Sequence, residues 1–326
     1  MKSASRSSLS VRRKPFDNFF LRRIRCAMKS YTLPLAGLMA ALLLSVAGCS
    51  RAASTGGGAT VAVAAKHYPL VGEIVSVDAA RNVLVVRHDA IDGLMPAMTM
   101  EFSVSSADTA AAKAGRRIRA QLIPVEKGDW KLEQIWPADP ASVSEVANQA
   151  LALRQDTISR GGTAYREVGE RIPTFALYDQ DGRVVNSARF AGKEVMVNFI
   201  YSRCPVANMC PLSTQKMMTV QKLARDAGVK NLELISITLD PTYDTPAVLK
   251  EYASARGIDT GNFSFLTGPE NAIKDLLAQF GVIAEFEGSL IKHTLTTLLI
   301  NEKGVIIHRA DGSVWEPKDF VAKMKR

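Results

Sequence analysis

A chain of 326 residues with 47% hydrophobic and 22% charged residues has room for two folded domains, and its composition excludes extended disorder and a bundle of membrane spans. The net charge of +9 does not mark a nucleic-acid surface. Residues 1–28 hold eight Lys and Arg against a single Asp17, which is +7 and leaves +2 for everything after them.

The first element is an apolar run over residues 33–46, about fourteen residues, too short to span a bilayer comfortably and of the length of a secretory signal core. Met28-Lys29-Ser30 supplies the basic start of such a signal, so residues 1–27, Cys26 included, are expected to lie upstream of the true start. Val46-Ala47-Gly48-Cys49 resembles a bacterial lipobox, which implies cleavage before Cys49 and its lipidation. The resulting division is a signal peptide over 1–48 and, over 49–65, the lipidated cysteine with an Ala-, Gly- and Ser-rich tether. An exported protein follows, in the periplasm and anchored to a membrane by its lipid.

Residues 66–140 read as β-structure. Branched residues cluster at 71–77 and 83–88 around an Asp78-to-Asn82 turn, and further strands are expected at 98–104, 118–124 and 130–136. Five short strands in about seventy residues predict a small barrel of OB type. Residues 141–165 are expected to be a helical linker ending at Gly161-Gly162.

From 166 to 326 strands and helices alternate, the signature of an α/β layer. A buried strand at 195–201 leads into two cysteines and a helix running from Pro211 to a stop at Gly228. A strand at 232–239 follows. Thr245-Pro246 then opens a helix that ends near Gly257. A short strand at 263–266, a helix at 269–280, a terminal hairpin around Glu302-Lys303-Gly304 and a last helix from Pro317 complete a thioredoxin-like order.

Without Cys26 and Cys49 the mature chain keeps only Cys204 and Cys210. In an oxidising compartment such a pair is a staple, a redox couple or a set of metal ligands, and a bridge closing so small a loop staples little. Pro211 in the first turn puts Cys210 at or near the helix N-cap, where the helix dipole favours a thiolate. The cysteines are six positions apart, ~600° around a helix and so about 240° out of phase. Cys204 must therefore reach in from the loop.

Tyr201-Ser202-Arg203-Cys204-Pro205 with Cys210-Pro211 resembles the Sco/SenC copper chaperones, over about residues 169–325. Pro173-Thr174-Phe175-Ala176-Leu177, Asp179-Gln180-Asp181-Gly182 and Ser236-Ile237-Thr238-Leu239-Asp240-Pro241 match other parts of that family. His293-Thr294 is similar to its histidine ligand. The family usually separates its cysteines by three residues, whereas five stand here. The resemblance implies a copper site of Cys204, Cys210 and His293, a ligand set that suits Cu(I) and also holds Cu(II). A Cys204–Cys210 disulfide would abolish binding.

A second segment carries His88, Met95, Met98 and Met100 within fifteen residues. Methionines so spaced also fill cores, but thioethers are soft ligands. Pro96-Ala97-Met98-Thr99-Met100-Glu101-Phe102 resembles the CusF-like periplasmic proteins, a small OB-fold family, over about residues 68–136. By that resemblance His88, Met98 and Met100 are copper ligands, and Met95 stands where the family often has a tryptophan. His67 and His308 read as structural, and Met209 as a core or lid residue.

The expectation is a metallochaperone rather than an enzyme. Its cofactor is copper and its recipient the copper-centre subunit of a cytochrome c oxidase or another periplasmic copper protein, with no nucleic acid as partner. Two rivals stay open: a thiol-disulfide oxidoreductase using Cys204 and Cys210, and copper sequestration for tolerance. Thr294-Leu295-Thr296-Thr297 lacks the proline that thioredoxins place opposite their cysteines, which speaks against the first.

Overall fold

The computed structural model describes residues 66–125, 128–161, 164–287 and 290–325. The signal, the tether, Cys26 and Cys49 lie outside the described residues. Among the described residues no helix is long and apolar enough to cross a membrane.

Strands β1 (Tyr68–Asp78), β2 (Val83–His88), β3 (Met98–Ser103), β4 (Arg117–Pro124) and β5 (Trp130–Pro137) close into a barrel in the order β1-β2-β3-β5-β4, an OB-like arrangement. Period-two alternation turns Leu84 and Val86 of β2, Phe102 of β3 and Leu122 of β4 into one core with Leu70, Ile74 and Leu132. Gly72 of β1 faces His88 of β2. A Cβ there would lie 2.7 Å from the Arg87 carbonyl oxygen and 2.8 Å from the His88 Cα, so only glycine lets β1 approach so closely. Between β3 and β4 sits a short helix, α1 (Ser106–Ala111), where the sequence reading had none. The Ser105 hydroxyl caps it by accepting the Asp108 N–H at 3.0 Å.

Helix α2 (Pro140–Ser159) starts at an Asp139 cap and buries Val146, Ala150, Leu153 and Thr157. A hairpin follows, β6 (Ala176–Tyr178) with β7 (Val184–Asn186). Then come β8 (Glu194–Ile200), α3 (Cys210–Asp226), β9 (Leu232–Thr238), α4 (Pro246–Ala255), β10 (Phe263–Leu266) and α5 (Glu270–Phe280). A separate ribbon of β11 (Ala284–Glu287) and β12 (Leu290–His293) precedes β13 (Thr296–Ile300), β14 (Ile306–Asp311) and α6 (Pro317–Val321).

The main sheet runs β10-β9-β8-β13-β14. Strands β8, β9 and β10 are parallel, and β13 returns antiparallel to β8. All seven residues of β8 are buried, as expected for a central strand covered on both faces. This is a thioredoxin-like layer, and the loops after its parallel strands share one end, where open α/β sheets place their ligands. Helix α2 lies along α5, with Arg154 paired to the buried Asp275 at 2.8 Å and the Gln279 amide donating to Thr157 at 3.0 Å.

Barrel and layer belong to one compact unit. Trp136 of β5 packs on Tyr178 of β6 with ring centroids 6.2 Å apart, joined by Val146 and Ala176. Arg116 donates to the Asp181 carbonyl, and Gln134 to the Thr242 carbonyl, each at 3.3 Å.

Candidate metal centre

The site forms where β8 ends. Tyr201 is buried behind it, residues 202–209 form an irregular loop, and α3 opens at Cys210 with Pro211 in its first turn. Cys204 is half-buried on the loop, reaching in as its phase demanded, while Cys210 is 0% exposed. Both are free thiols. His293 arrives from the opposite side, at the end of β12.

One ligand atom from each of Cys204, Cys210 and His293 lies within 4.8 Å of the other two. The Cys210 Sγ is 3.3 Å from the His293 Nε2. The His293 Nδ1 sits 3.1 Å from the Thr294 carbonyl oxygen. A carbonyl can only accept, so Nδ1 carries the proton and Nε2 turns its lone pair toward the sulfurs. Burial also holds the His293 pKa below its ordinary value, against the pull of the Thr294 carbonyl. The imidazole is thus neutral, as a ligand must be.

Burial works against the thiolate expected at Cys210. Burial pushes this thiol well up from its usual value, and the neighbouring Cys204 adds to it, while backbone hydrogen bonding at Tyr201 and at Cys210 itself works the other way. Desolvation outweighs the helix terminus because the sulfur has no contact with water. A soft cation arriving here must displace the proton.

Residues without an assigned role in the sequence reading hold the loop in place. The buried Asp244 accepts the Ser202 N–H at 3.1 Å and the Thr238 hydroxyl at 2.6 Å, and also takes the Ser202 hydroxyl. The buried Asp240 binds the Arg203 guanidinium through Nε at 2.9 Å, and that guanidinium lies over the Tyr243 ring, 4.4 Å from its centroid. Thr242, bonded to Gln134 of the barrel, also donates its hydroxyl to Asp240 at 3.0 Å. The two carboxylates four apart in Asp240-Pro241-Thr242-Tyr243-Asp244 were the available signal. Tyr201, within the quoted motif, meets His293 edge to face with centroids 5.8 Å apart. Burial first, and a hydrogen bond with Cys204 second, push its hydroxyl up to about 12.

In the barrel, His88 is 2% exposed. Its Nδ1 is 2.7 Å from the Asp89 carbonyl oxygen, and its Nε2 is buried with no hydrogen-bond partner among the described residues. Met98 lies opposite His88 and Met100 opposite Val86 in the β2–β3 register, so both share the inward face with His88. Met100 packs against the barrel core, whereas Met98 is 45% exposed. Met95 also packs on that core, in a tight turn that returns its carbonyl to the Ile91 N–H at 2.9 Å. An orphaned imidazole nitrogen on a face shared with thioethers fits a soft metal ion. His308 packs on Phe320 and His67 is exposed, away from either group.

A thioredoxin-like layer carrying two thiols and an imidazole at the end of its central strand, fused to an OB-like barrel, defines the class of protein. The SCO1/SenC family pattern matches residues 163–326, half of the chain, and the protein belongs to that family. Residues 67–137 match the pattern described as copper binding periplasmic protein CusF. Among relatives, the SCO2-like protein of Rickettsia conorii is 33% identical over 156 residues, 45% of this chain and 73% of that protein. The SCO1 protein homolog of Bacillus subtilis is 26% identical over 157 residues, 46% and 78% of the two chains. A solved SCO1/SenC family lipoprotein from Bacillus anthracis aligns at 26% identity over 50% of this chain and 98% of its own, with a TM-score of 0.46.

Proposed function

We propose that this protein is an exported, lipid-anchored metallochaperone that binds copper through Cys204, Cys210 and His293 and passes it to a copper enzyme, in assembly of the cytochrome c oxidase copper centre. The carrying observation is the three-atom ligand set within 4.8 Å, with a neutral imidazole nitrogen aimed at a buried sulfur. Two sulfurs and one nitrogen form a soft, three-coordinate set suited to Cu(I). Copper is the cargo here, and ligand exchange with incoming thiolates releases it.

A second copper ion is held in the barrel by His88, Met98 and Met100, with Met95 as an additional thioether. The CusF description of the matching pattern and the orphaned His88 Nε2 support this reading. Attack by Cys210 in thiol-disulfide exchange is disfavoured, since an attacking thiol needs exposure and this one is 0% exposed; an oxidoreductase would have to use the half-buried Cys204 as its attacking thiol.

The test is copper stoichiometry of the reduced full chain. Two Cu(I) per chain are expected, one lost in Cys204→Ala/Cys210→Ala and the other in Met98→Ala/Met100→Ala. Undiminished copper in the cysteine double variant would refute the assignment.

A further inference from the structure

The ribbon that carries His293 leaves the layer after α5 and rejoins it at β13, so the chain enters it past Gly281 and is back in the main sheet at Thr296. One side chain reaches both points. Arg309, on β14, donates from Nη1 to the Phe280 carbonyl at 2.8 Å and from Nη2 to the Gly281 carbonyl at 3.5 Å, and the same Nη2 donates to the Thr296 hydroxyl oxygen at 3.4 Å. Its Nε donates to Asp311 at 3.0 Å, and Asp311 also accepts the Thr296 hydroxyl at 2.9 Å. The arginine side chain is only 16% exposed, and its guanidinium lies over the Tyr165 ring, 5.0 Å from the centroid. Gly281 has a φ of +68°, and a Cβ there would stand 2.7 Å from the Tyr165 ring, so glycine lets the ring close over this turn.

Unpaired carbonyls at a helix C-terminus attract a cation, and for that purpose Phe280 and Gly281 would suffice. The bond to Thr296 goes further, because it spans the base of the ribbon. A planar fork of five N–H donors holds all of these acceptors at once, which a lysine ammonium at the end of one flexible stem does not. We infer that Arg309 is a positioning residue for His293: it clasps the two ends of the ribbon and so keeps the imidazole at the two sulfurs. The inference rests on copper binding at Cys204, Cys210 and His293. Arg309 touches none of the three ligands and acts only through the ribbon.

The experiment compares the full chain with Arg309→Lys, which keeps the charge beside Asp311 and loses the fork. In the reduced, metal-free protein, hydrogen exchange of the β11 and β12 amides should quicken about tenfold while the β8 amides keep their wild-type protection. With Cu(I), competition against a chromophoric chelator should show the equivalent that Cys204→Ala/Cys210→Ala lacks bound about tenfold more weakly, with no further loss when Arg309→Lys is made in a His293→Ala background. An equal loss of affinity in both backgrounds, or unchanged exchange in the ribbon, would overturn the inference. If wild type lacks that copper equivalent, the binding assignment has failed, and the exchange rates still decide whether the clasp exists. Should Arg309→Lys not fold, Tyr165→Leu removes the ring beneath the guanidinium instead, and it must loosen the same amides and spare those of β8.

Discussion

The Arg203 guanidinium meets the buried carboxylate of Asp240 at 2.8 Å, and this ion pair fixes the residue immediately before Cys204. The pair is lopsided, with Asp240 0% and the Arg203 side chain 43% exposed. Losing the arginine strands a buried charge, whereas losing the carboxylate returns the guanidinium to water. Arg203→Ala should therefore cost about 3 kcal/mol and Asp240→Asn about 1 kcal/mol, read from urea unfolding at pH 7. The reverse order would mean that the pair does not anchor the loop as described.

Asp244 makes stability depend on pH. Burial raises its carboxyl from 3.8 to about 6, against the hydrogen bonds from Ser202 and Thr238. The folded protein therefore holds this proton more tightly than the unfolded chain. The associated stability is full below about pH 4 and lost as the pH rises through about 6, on the order of 3 kcal/mol in total. Asp244→Asn should remove that slope, so the difference in unfolding free energy between wild type and variant changes between pH 4 and 7. A difference that stays constant across this range would contradict the assignment.

Gly72 governs the approach of β1 to His88. Gly72→Ala forces a methyl group against the β2 backbone, at an expected cost of about 1–3 kcal/mol. It should also abolish the barrel's copper equivalent without affecting the one at Cys204 and Cys210. Thermal melting and copper titration in the Cys204→Ala/Cys210→Ala background read the two effects separately.

Trp136 packs on Tyr178 where barrel meets layer, beside the contact of α1 with α4. Trp136→Ala should cost about 3–5 kcal/mol and make the segment joining β5 to α2 open to limited proteolysis under native conditions. Cleavage at the wild-type rate would mean that the junction is held elsewhere.

The central strand and the helix after the cysteines were legible because β8 is apolar throughout and Pro211 marks a first helical turn. The barrel strands were legible through their alternation. Helix α1 escaped notice: its Ser105-to-Asp108 cap is a real signal, but six residues rich in alanine and without an apolar face look like a turn. The β11–β12 ribbon left little trace, since Phe286 is 61% exposed and no alternation marks the pair. His293 lies three residues before the main-sheet strand β13 and also ends this separate ribbon. At Cys210 local sequence reports a helix terminus but not how far the fold buries it.

On the proposed copper assignment, the ribbon makes the three ligands unequal in time. Cys204 and Cys210 grow out of the central strand and α3, whereas His293 rides on two short strands outside the main sheet. Paired strands this short have little stability of their own. This ribbon is tethered by the buried Ile291, by the Thr294 N–H to Ile283 carbonyl bond of 3.0 Å and by the Tyr201 hydroxyl. Local opening is cheapest where tethers are fewest, so the imidazole detaches before either sulfur does. Unloading then has a built-in order, histidine first, and the lifetime of a held ion follows the fraying of β12 rather than the unfolding of the domain.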